Sequence, residues 1–463
     1  MDYRHAIDHL LSLVDRERSA PSGPRQKLIY DLGRMEALLE RLGSPHLAVP
    51  TIHIAGTKGK GSTAALCDAA LHAAGYHTGF YSSPHLHSFR ERIRLDTLPI
   101  AEGKFAALVE QLWPHQQWVW DNAGLGPVSL FEFMTAMAFQ CFAQEGVDFQ
   151  TIEVGLGGRL DATNVVRPQV CVITSLSLDH TAILGESLAQ IAAEKAGIIK
   201  PGAPVVMAPQ QPAAQVVLLS VCQERHARPI QLGVDITWEG GPADPPAVDG
   251  QRLAVRGQLG TYQLWIPLLG TFQLENAAAA VAALEALAQQ GYHVSNEAIR
   301  EGFARVSWPC RLEVLRRDPL VVADGAHNVQ SIAALLDSLP RYLKYRRLLL
   351  IVGVSRDKNV SQMVELLAAG NPQVFVSRSR HPRSLAPATL AAQFRAQGVD
   401  AAETGTVAEA VDQALSLAEP GDLVLATGSL FVAAEVREAM LGIEPELYPD
   451  LLPPEGRASY AAV

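Results

Sequence analysis

The chain has 463 residues, 48% of them hydrophobic and 19% charged, with 36 glycines and 29 prolines in no regular repeat, which excludes disorder and fibrous repeats. The 38 Lys+Arg against 48 Asp+Glu leave a net charge of -10, which argues against a broad nucleic-acid or membrane footprint but not against a local phosphate pocket. Five cysteines (Cys67, Cys141, Cys171, Cys222, Cys310) without CxxC spacing point to neither a disulfide framework nor a zinc ribbon. The first residues lack the basic flank and apolar run of a signal peptide, and no run reaches the roughly 18 apolar residues of a membrane span, so the cytoplasm is the expected compartment.

In chain order, 26–43 has apolar residues at helical spacing and stops at Gly43. Thr51–Ala55 predicts a short apolar strand running into a glycine cluster and then a helix, the order a phosphate-binding loop requires. A helix over 131–144 separates that strand from further buried-type strands at 149–154 and 170–174, so a mostly parallel sheet is expected. The segment from Glu186 reads as a capped helix ending at Gly197. Residues 228–268 change to short alternating runs around a turn-rich stretch and predict a β-hairpin appendage, followed by an Ala-rich helix over 276–290.

A second alternation has strands at 320–323, 347–353, 373–376 and 422–426, which predicts a separate Rossmann-like unit. The fold class is therefore α/β: a P-loop-type, mostly parallel sheet domain over 1–304, a linker at 305–311, and a C-terminal Rossmann-like α/β domain over 312–463. The last fifteen residues, with their Pro and Glu content, read as loosely held.

The strongest chemical signal is Gly56-Thr57-Lys58-Gly59-Lys60-Gly61-Ser62. Glycines let backbone N–H groups approach phosphate oxygens, the Lys60 ammonium neutralises charge, and the following helix adds its positive end. It is not a strict Walker A, because Ile54 and Gly61 stand where that pattern has a glycine and a hydroxyl. Glu153 closes an apolar strand beside Gly155-Leu156-Gly157-Gly158, where open α/β sheets place ligands and where Mg²⁺ would find a hard oxygen; a strand-end Glu satisfied by neighbouring N–H groups is the plainer reading. Ser83 precedes a proline-fixed turn, and a hydroxyl there suits either a turn or Mg²⁺. His180 follows another strand end and gains interest only beside Lys60 and Glu153, while Glu194-Lys195 alone looks like surface charge. In the second unit, strand 321–323 delivers Asp324-Gly325-Ala326-His327-Asn328 to a helix start, with similar turns at Gly353–Lys358 and Thr427–Phe431; ligand binding and simple capping both explain them.

Together the segments AGTKGKGS, YSSPHL, FRERI, FEFMTAMAF, EVGLGGRLDATN, ITSLSLDHTAILG, IAAEKAGIIKPG, PLLGTFQLENAAAA, WPCRLE, DGAHN and TGSLFVAAEVR resemble, in order from about residue 30 to 437, the folylpolyglutamate synthase / dihydrofolate synthase family of Mur-type ATP-dependent ligases. The resemblance implies that Gly56, Thr57, Lys58, Gly59, Lys60, Gly61 and Ser62 hold the triphosphate, and that Asn276, Arg311 and Asp324 bind adenine, phosphate and ribose. It implies Ser83, Glu153 and His180 as Mg²⁺ ligands, Lys195 as a carbamylated lysine helping to hold a second Mg²⁺, and His327 and Ser429 as contacts of the incoming glutamate. Lys60, Lys195 and His327 are the implied catalytic residues.

The implied reaction forms an acyl phosphate from ATP and a pteroate or folate carboxylate, which L-glutamate attacks, releasing ADP and phosphate. Small molecules (ATP, L-glutamate, dihydropteroate or folate) are the implied partners, with neither nucleic acid nor membrane, and a monomer is expected. Lys58, Cys310 and Phe272 stand where the family often has Asn, Gly and His. The rival readings are a Mur-type ligase acting on a cell-wall precursor, for which the early phosphate loop leaves no room for a UDP-sugar domain, and a non-catalytic nucleotide-binding switch.

Overall fold

The computed structural model describes residues 1–15, 31–242 and 248–448. Eight strands form the first sheet: β1 (Thr51–Ala55), β2 (Thr78–Tyr81), β3 (Ile93–Leu95), β4 (Leu98–Pro99), β5 (Phe149–Glu153), β6 (Val170–Ile173), β7 (Pro204–Met207) and β8 (Arg228–Gln231). Their order is β4-β3-β2-β5-β1-β6-β7-β8, parallel from β2 to β8, with β3 and β4 antiparallel. β1 lies between β5 and β6 and all five of its residues are buried, as a strand covered on both faces requires.

A small antiparallel sheet follows: β9 (Thr237–Gly241), β10 (Gln251–Arg256) and β11 (Thr261–Ile266), with β10 in the middle. β10 and β11 alternate buried and exposed residues, so this sheet is covered on one face only. Its cover is the helix Thr271–Ala288, whose alanines 277–280 and 282–283 let backbones approach closely and are buried. The expected hairpin is thus three strands, and 228–231 is not part of it. Pro229 and Ile230 pair with β7, making that segment the edge of the large sheet. The Ala-rich helix starts at Thr271 rather than 276, because Gly270 at φ +106° breaks the preceding chain there.

The second sheet comprises β12 (Glu313–Arg317), β13 (Leu320–Ala323), β14 (Leu348–Val352), β15 (Gln373–Val376), β16 (Ala401–Glu403) and β17 (Leu423–Thr427). The order is β12-β13-β17-β14-β15-β16, parallel apart from the β12 edge. The four strands read from sequence are present to within one residue at either end; β12 and β16, short and half polar, were not read.

The helix expected over 26–43 is observed as Gly33–Arg41, and 26–30 lie outside the described residues. Its Arg34 is buried and pairs with Glu132 at 2.8 Å. Glu132 also accepts from the Ser129 N–H at 2.7 Å, capping the helix Leu130–Glu145, so one carboxylate ties two helices together. The last fifteen residues, read as loosely held, also lie outside the described set. No helix among the described residues is long and apolar enough to cross a membrane.

Among the described residues the chain itself passes between the two sheets' sides at two places. Trp308, in the segment leading into β12, packs edge-on to Phe80 with ring centroids 5.5 Å apart. At the other end, the chain after helix Leu430–Leu441 returns to the first sheet's side. There the Glu446 N–H donates to the His87 carbonyl at 2.9 Å, and its carboxylate accepts from the Phe89 N–H at 3.0 Å and from Tyr3 and Ser88. Tyr448 is buried against Phe89.

Candidate active site

Four loops leave the carboxyl ends of β1, β2, β5 and β6 on one edge of the first sheet: 56–59, 82–84, 154–161 and 174–180. Such an edge is where a parallel sheet presents residues to a ligand. The β1 loop feeds the helix Lys60–Ala73 through Gly59 at φ +89°. A Cβ on Gly59 would lie 2.1 Å from Asn276 Oδ1, so only glycine fits both the turn and the approach. The carbonyl of Ser175 accepts from the N–H groups of Thr57 and Lys58 at 2.9 and 3.2 Å, which fixes the front of the loop. The first N–H groups of the helix have no partner within it and open toward the loop's mouth.

Lys60 Nζ stands 3.8 Å from Glu153 Oε1. Glu153 is 5% exposed, and burial raises its pKa while Lys60, Arg311 and the Ser83 N–H draw it back. Ser83 is thus held beside Glu153 through its backbone. Lys195, 4% exposed, is not the surface residue its neighbour suggests: Glu194 turns outward to Arg159 at 2.8 Å, whereas Lys195 Nζ donates to the Gly56 carbonyl at 2.9 Å. Burial, reinforced by the charge of Lys60, lowers the Lys195 pKa to about 7.

The second sheet presents its own carboxyl edge to the same crevice. Asp324 is buried, with Oδ2 accepting from the Leu312 N–H and Oδ1 from the Ala326 N–H, both at 2.8 Å. Burial raises its pKa, opposed first by Arg311. Its main visible work is to hold the two turns that carry Arg311 and His327. Arg311 Nη1 donates to the Cys310 carbonyl at 2.9 Å. Ser429, buried, caps the helix Leu430–Leu441 through the Phe431 N–H at 3.2 Å. Asn276 is also buried, inside its helix, donating to Gln273 at 2.8 Å.

The sheets meet at Asp179, a residue the sequence did not single out. Its carboxylate accepts from Lys58 Nζ at 3.2 Å and the His180 N–H at 3.0 Å on one side, and from Lys358 Nζ and Asn328 Nδ2, both at 2.8 Å, on the other. Burial works against ionisation, but the Lys58 and Lys358 ammoniums hold the carboxyl well below the usual carboxylate range. His327 Nδ1 donates to the Gly325 carbonyl at 2.8 Å, so Nε2 is an acceptor, and it lies 2.9 Å from Lys58 Nζ. The Lys58 charge, followed by burial, pushes the His327 pKa well below its ordinary value. The signal for Asp179 was available only as the residue before His180, since nothing in one sequence says that Asn328 and Lys358 come to meet it.

His180 sits in the left-handed region at φ +50°, and burial, with Lys358, lowers its pKa to about 4. It is therefore a neutral imidazole able to donate a lone pair. Among the described residues no three His, Cys, Asp or Glu side chains gather into a metal cluster. The donors around Lys60, the buried Glu153 carboxylate with the Ser83 N–H on it and the His180 imidazole within the field of the Lys60 charge, suit a hard cation that keeps phosphate oxygens in its shell rather than one held by protein alone.

Residues 132–284 match the model of the Mur ligase middle domain, and 310–430 that of the Mur ligase glutamate ligase domain. The chain is 37% identical over 418 residues to a dihydrofolate synthase/folylpolyglutamate synthase of Bacillus subtilis, covering 88% of this chain and 94% of that one. It is 36% identical over 474 residues to the enzyme of that name from Mycobacterium tuberculosis, covering 95% and 96%. Among solved structures, the Mycobacterium tuberculosis folylpolyglutamate synthase complexed with ADP and AMPPCP superposes with a TM-score of 0.86 at 34% identity, over 96% of this chain and 100% of that one. An FPGS–AMPPCP–folate complex superposes with a TM-score of 0.82 at 31% identity, over the same shares. The α/β class and the resemblance both stand, and the chain belongs to the folylpolyglutamate synthase / dihydrofolate synthase family of ATP-dependent Mur-type ligases.

Proposed function

We propose that this protein joins L-glutamate to the carboxylate of dihydropteroate, to the glutamyl chain of reduced folates, or to both, at the expense of ATP. The observation that carries the reading is that two carboxyl edges, one bearing a phosphate loop with Lys60 and the other His327, face one crevice and are bridged there. A nucleotide switch has no need of the second edge.

In this reading the loop from Gly56 to Ser62 holds the triphosphate, with Asn276, Arg311 and Asp324 serving the rest of the nucleotide. Lys60 draws the γ-phosphoryl group and the acceptor carboxylate together against their repulsion. Glu153, Ser83 and His180 would hold Mg²⁺, with a carbamylated Lys195 serving a second ion; the metal, when bound, would supply charge neutralisation for the transfer. The acceptor oxygen takes the γ-phosphoryl group, ADP leaves, and the amine of L-glutamate then displaces phosphate from the acyl carbon. Residues 305–311 serve as the hinge between a unit of 1–304 and one of 312–463, whose closure keeps water from the acyl phosphate. His327 and Ser429 face the incoming amino acid.

The test is ADP release with Mg²⁺, ATP and L-glutamate, run separately with dihydropteroate and with tetrahydrofolate, beside a Lys195→Ala variant. Turnover on both acceptors, lost in the variant, establishes the double activity; turnover on one names the single activity. No acid-dependent turnover on either would overturn the assignment.

A further inference from the structure

Lys58 belongs by position to the phosphate loop, yet its ammonium is spent elsewhere. It donates to Asp179 Oδ2 at 3.2 Å and to His327 Nε2 at 2.9 Å. The imidazole can only accept there, because its other nitrogen donates to the Gly325 carbonyl. Asp179 Oδ1 is taken by Lys358 and the His180 N–H, and Oδ2 also by Asn328, so the carboxylate is fixed in place without Lys58. The Lys58 side chain is 25% exposed, against 8% for Asp179, so part of the lysine side chain reaches solvent where Asp179 does not.

A primary ammonium between one carboxylate oxygen and one imidazole lone pair is also what the second substrate of a glutamate ligase presents. An α-ammonium has the same compact charge and three donors as a lysine head. Resting on the ligase reading above, we propose that Asp179 Oδ2 and His327 Nε2 are the receiving site for the α-ammonium of the incoming amino acid, and that Lys58 occupies this site until the amino acid displaces it. Lys58 has somewhere to go. It is two residues from Lys60 in the same loop, and a bound triphosphate offers it a second anionic partner. The exchange would make the phosphate loop and the amino-acid site report on each other, with nucleotide binding freeing the acceptors that L-glutamate needs. Lys358 keeps Asp179 compensated in both arrangements.

The experiment is Lys58→Met, which keeps the bulk of the stem and removes the competing ammonium. The Kd of L-glutamate is read by calorimetry with acceptor present, once without nucleotide and once with AMPPCP, which needs no turnover, and the KM values for ATP and L-glutamate are taken beside it. Without nucleotide the Kd is expected to fall about fivefold, equivalent to about 1 kcal/mol at roughly 1.4 kcal/mol per factor of ten, and with AMPPCP, which already draws Lys58 away, by less. An Asp179→Asn variant should move the same quantities upward, separating a receiving site from general electrostatics. Unchanged or weaker L-glutamate binding in Lys58→Met overturns the proposal, and a rise confined to the KM for ATP makes Lys58 a phosphate ligand only. If the unsubstituted enzyme shows no L-glutamate-dependent ADP release with either acceptor, it is the ligase assignment that fails.

Discussion

The proposed carbamylation of Lys195 can be tested through its pH dependence, because the reaction needs a neutral amine. An ordinary lysine at pH 7 is neutral in roughly one molecule in three thousand, from its usual pKa. Lys195, with its pKa lowered to about 7, is neutral in about half. Its Nζ keeps one visible partner, the Gly56 carbonyl at 2.9 Å, so a carbamate would form where the loop, Lys60 and Asp161 already define the field. At fixed dissolved CO₂ the neutral fraction rises from about a tenth at pH 6 to about nine tenths at pH 8. Protein equilibrated with ¹³C-bicarbonate should therefore show one carbamate resonance whose intensity grows over that range and which Lys195→Ala removes. Activity should follow the same rise. In the unmodified protein the unfolded chain holds more protons between about pH 7 and 10.5, so this group's contribution to stability grows with pH through that window. A turning-over enzyme without the resonance, or a resonance insensitive to pH and to the substitution, would refute the reasoning.

Arg34→Met should cost about 3–5 kcal/mol in urea denaturation, because it leaves the Glu132 carboxylate buried with only the Ser129 donors. The double variant with Glu132→Gln should recover much of that loss, and a single-variant cost below about 1 kcal/mol would show that the pair is not buried in solution. Gly59→Ala combines a left-handed backbone, worth about 1–2 kcal/mol, with a Cβ 2.1 Å from Asn276 Oδ1. AMPPCP affinity should drop at least tenfold by calorimetry, and an unchanged affinity would remove Gly59 from the nucleotide site.

The phosphate loop and the strand ends were legible because each is a local pattern: an apolar run, then glycines, then a helix. Glu153 and Lys60 were read for the same reason, and they do face each other. Lys195 was not readable from its own surroundings, since Glu194-Lys195 near a helix end looks like exposed charge; only the resemblance marked it, and its burial follows from the Gly158–Arg159 turn lying against the same helix. The extent of the appendage was misread because 228–231 is short, and a parallel edge strand is set by a neighbour 24 residues away, as Pro204 is from Arg228. Asp179 was out of reach for the same reason on a larger scale. Its partners Lys58, Asn328 and Lys358 are separated from it by 121, 149 and 179 positions.

Trp308 also touches the phosphate loop: a Cβ on Gly61 would fall 2.5 Å from its Cζ2. The Glu446 strap, the His87–Glu438 pair at 2.9 Å and the Gln251–Tyr342 hydrogen bond at 2.6 Å tie the second sheet's side to the first at further points. Any movement that widens the gap between the two carboxyl edges has to break or carry along each of these ties, so resistance to opening is spread over the whole seam instead of resting on the segment 305–311.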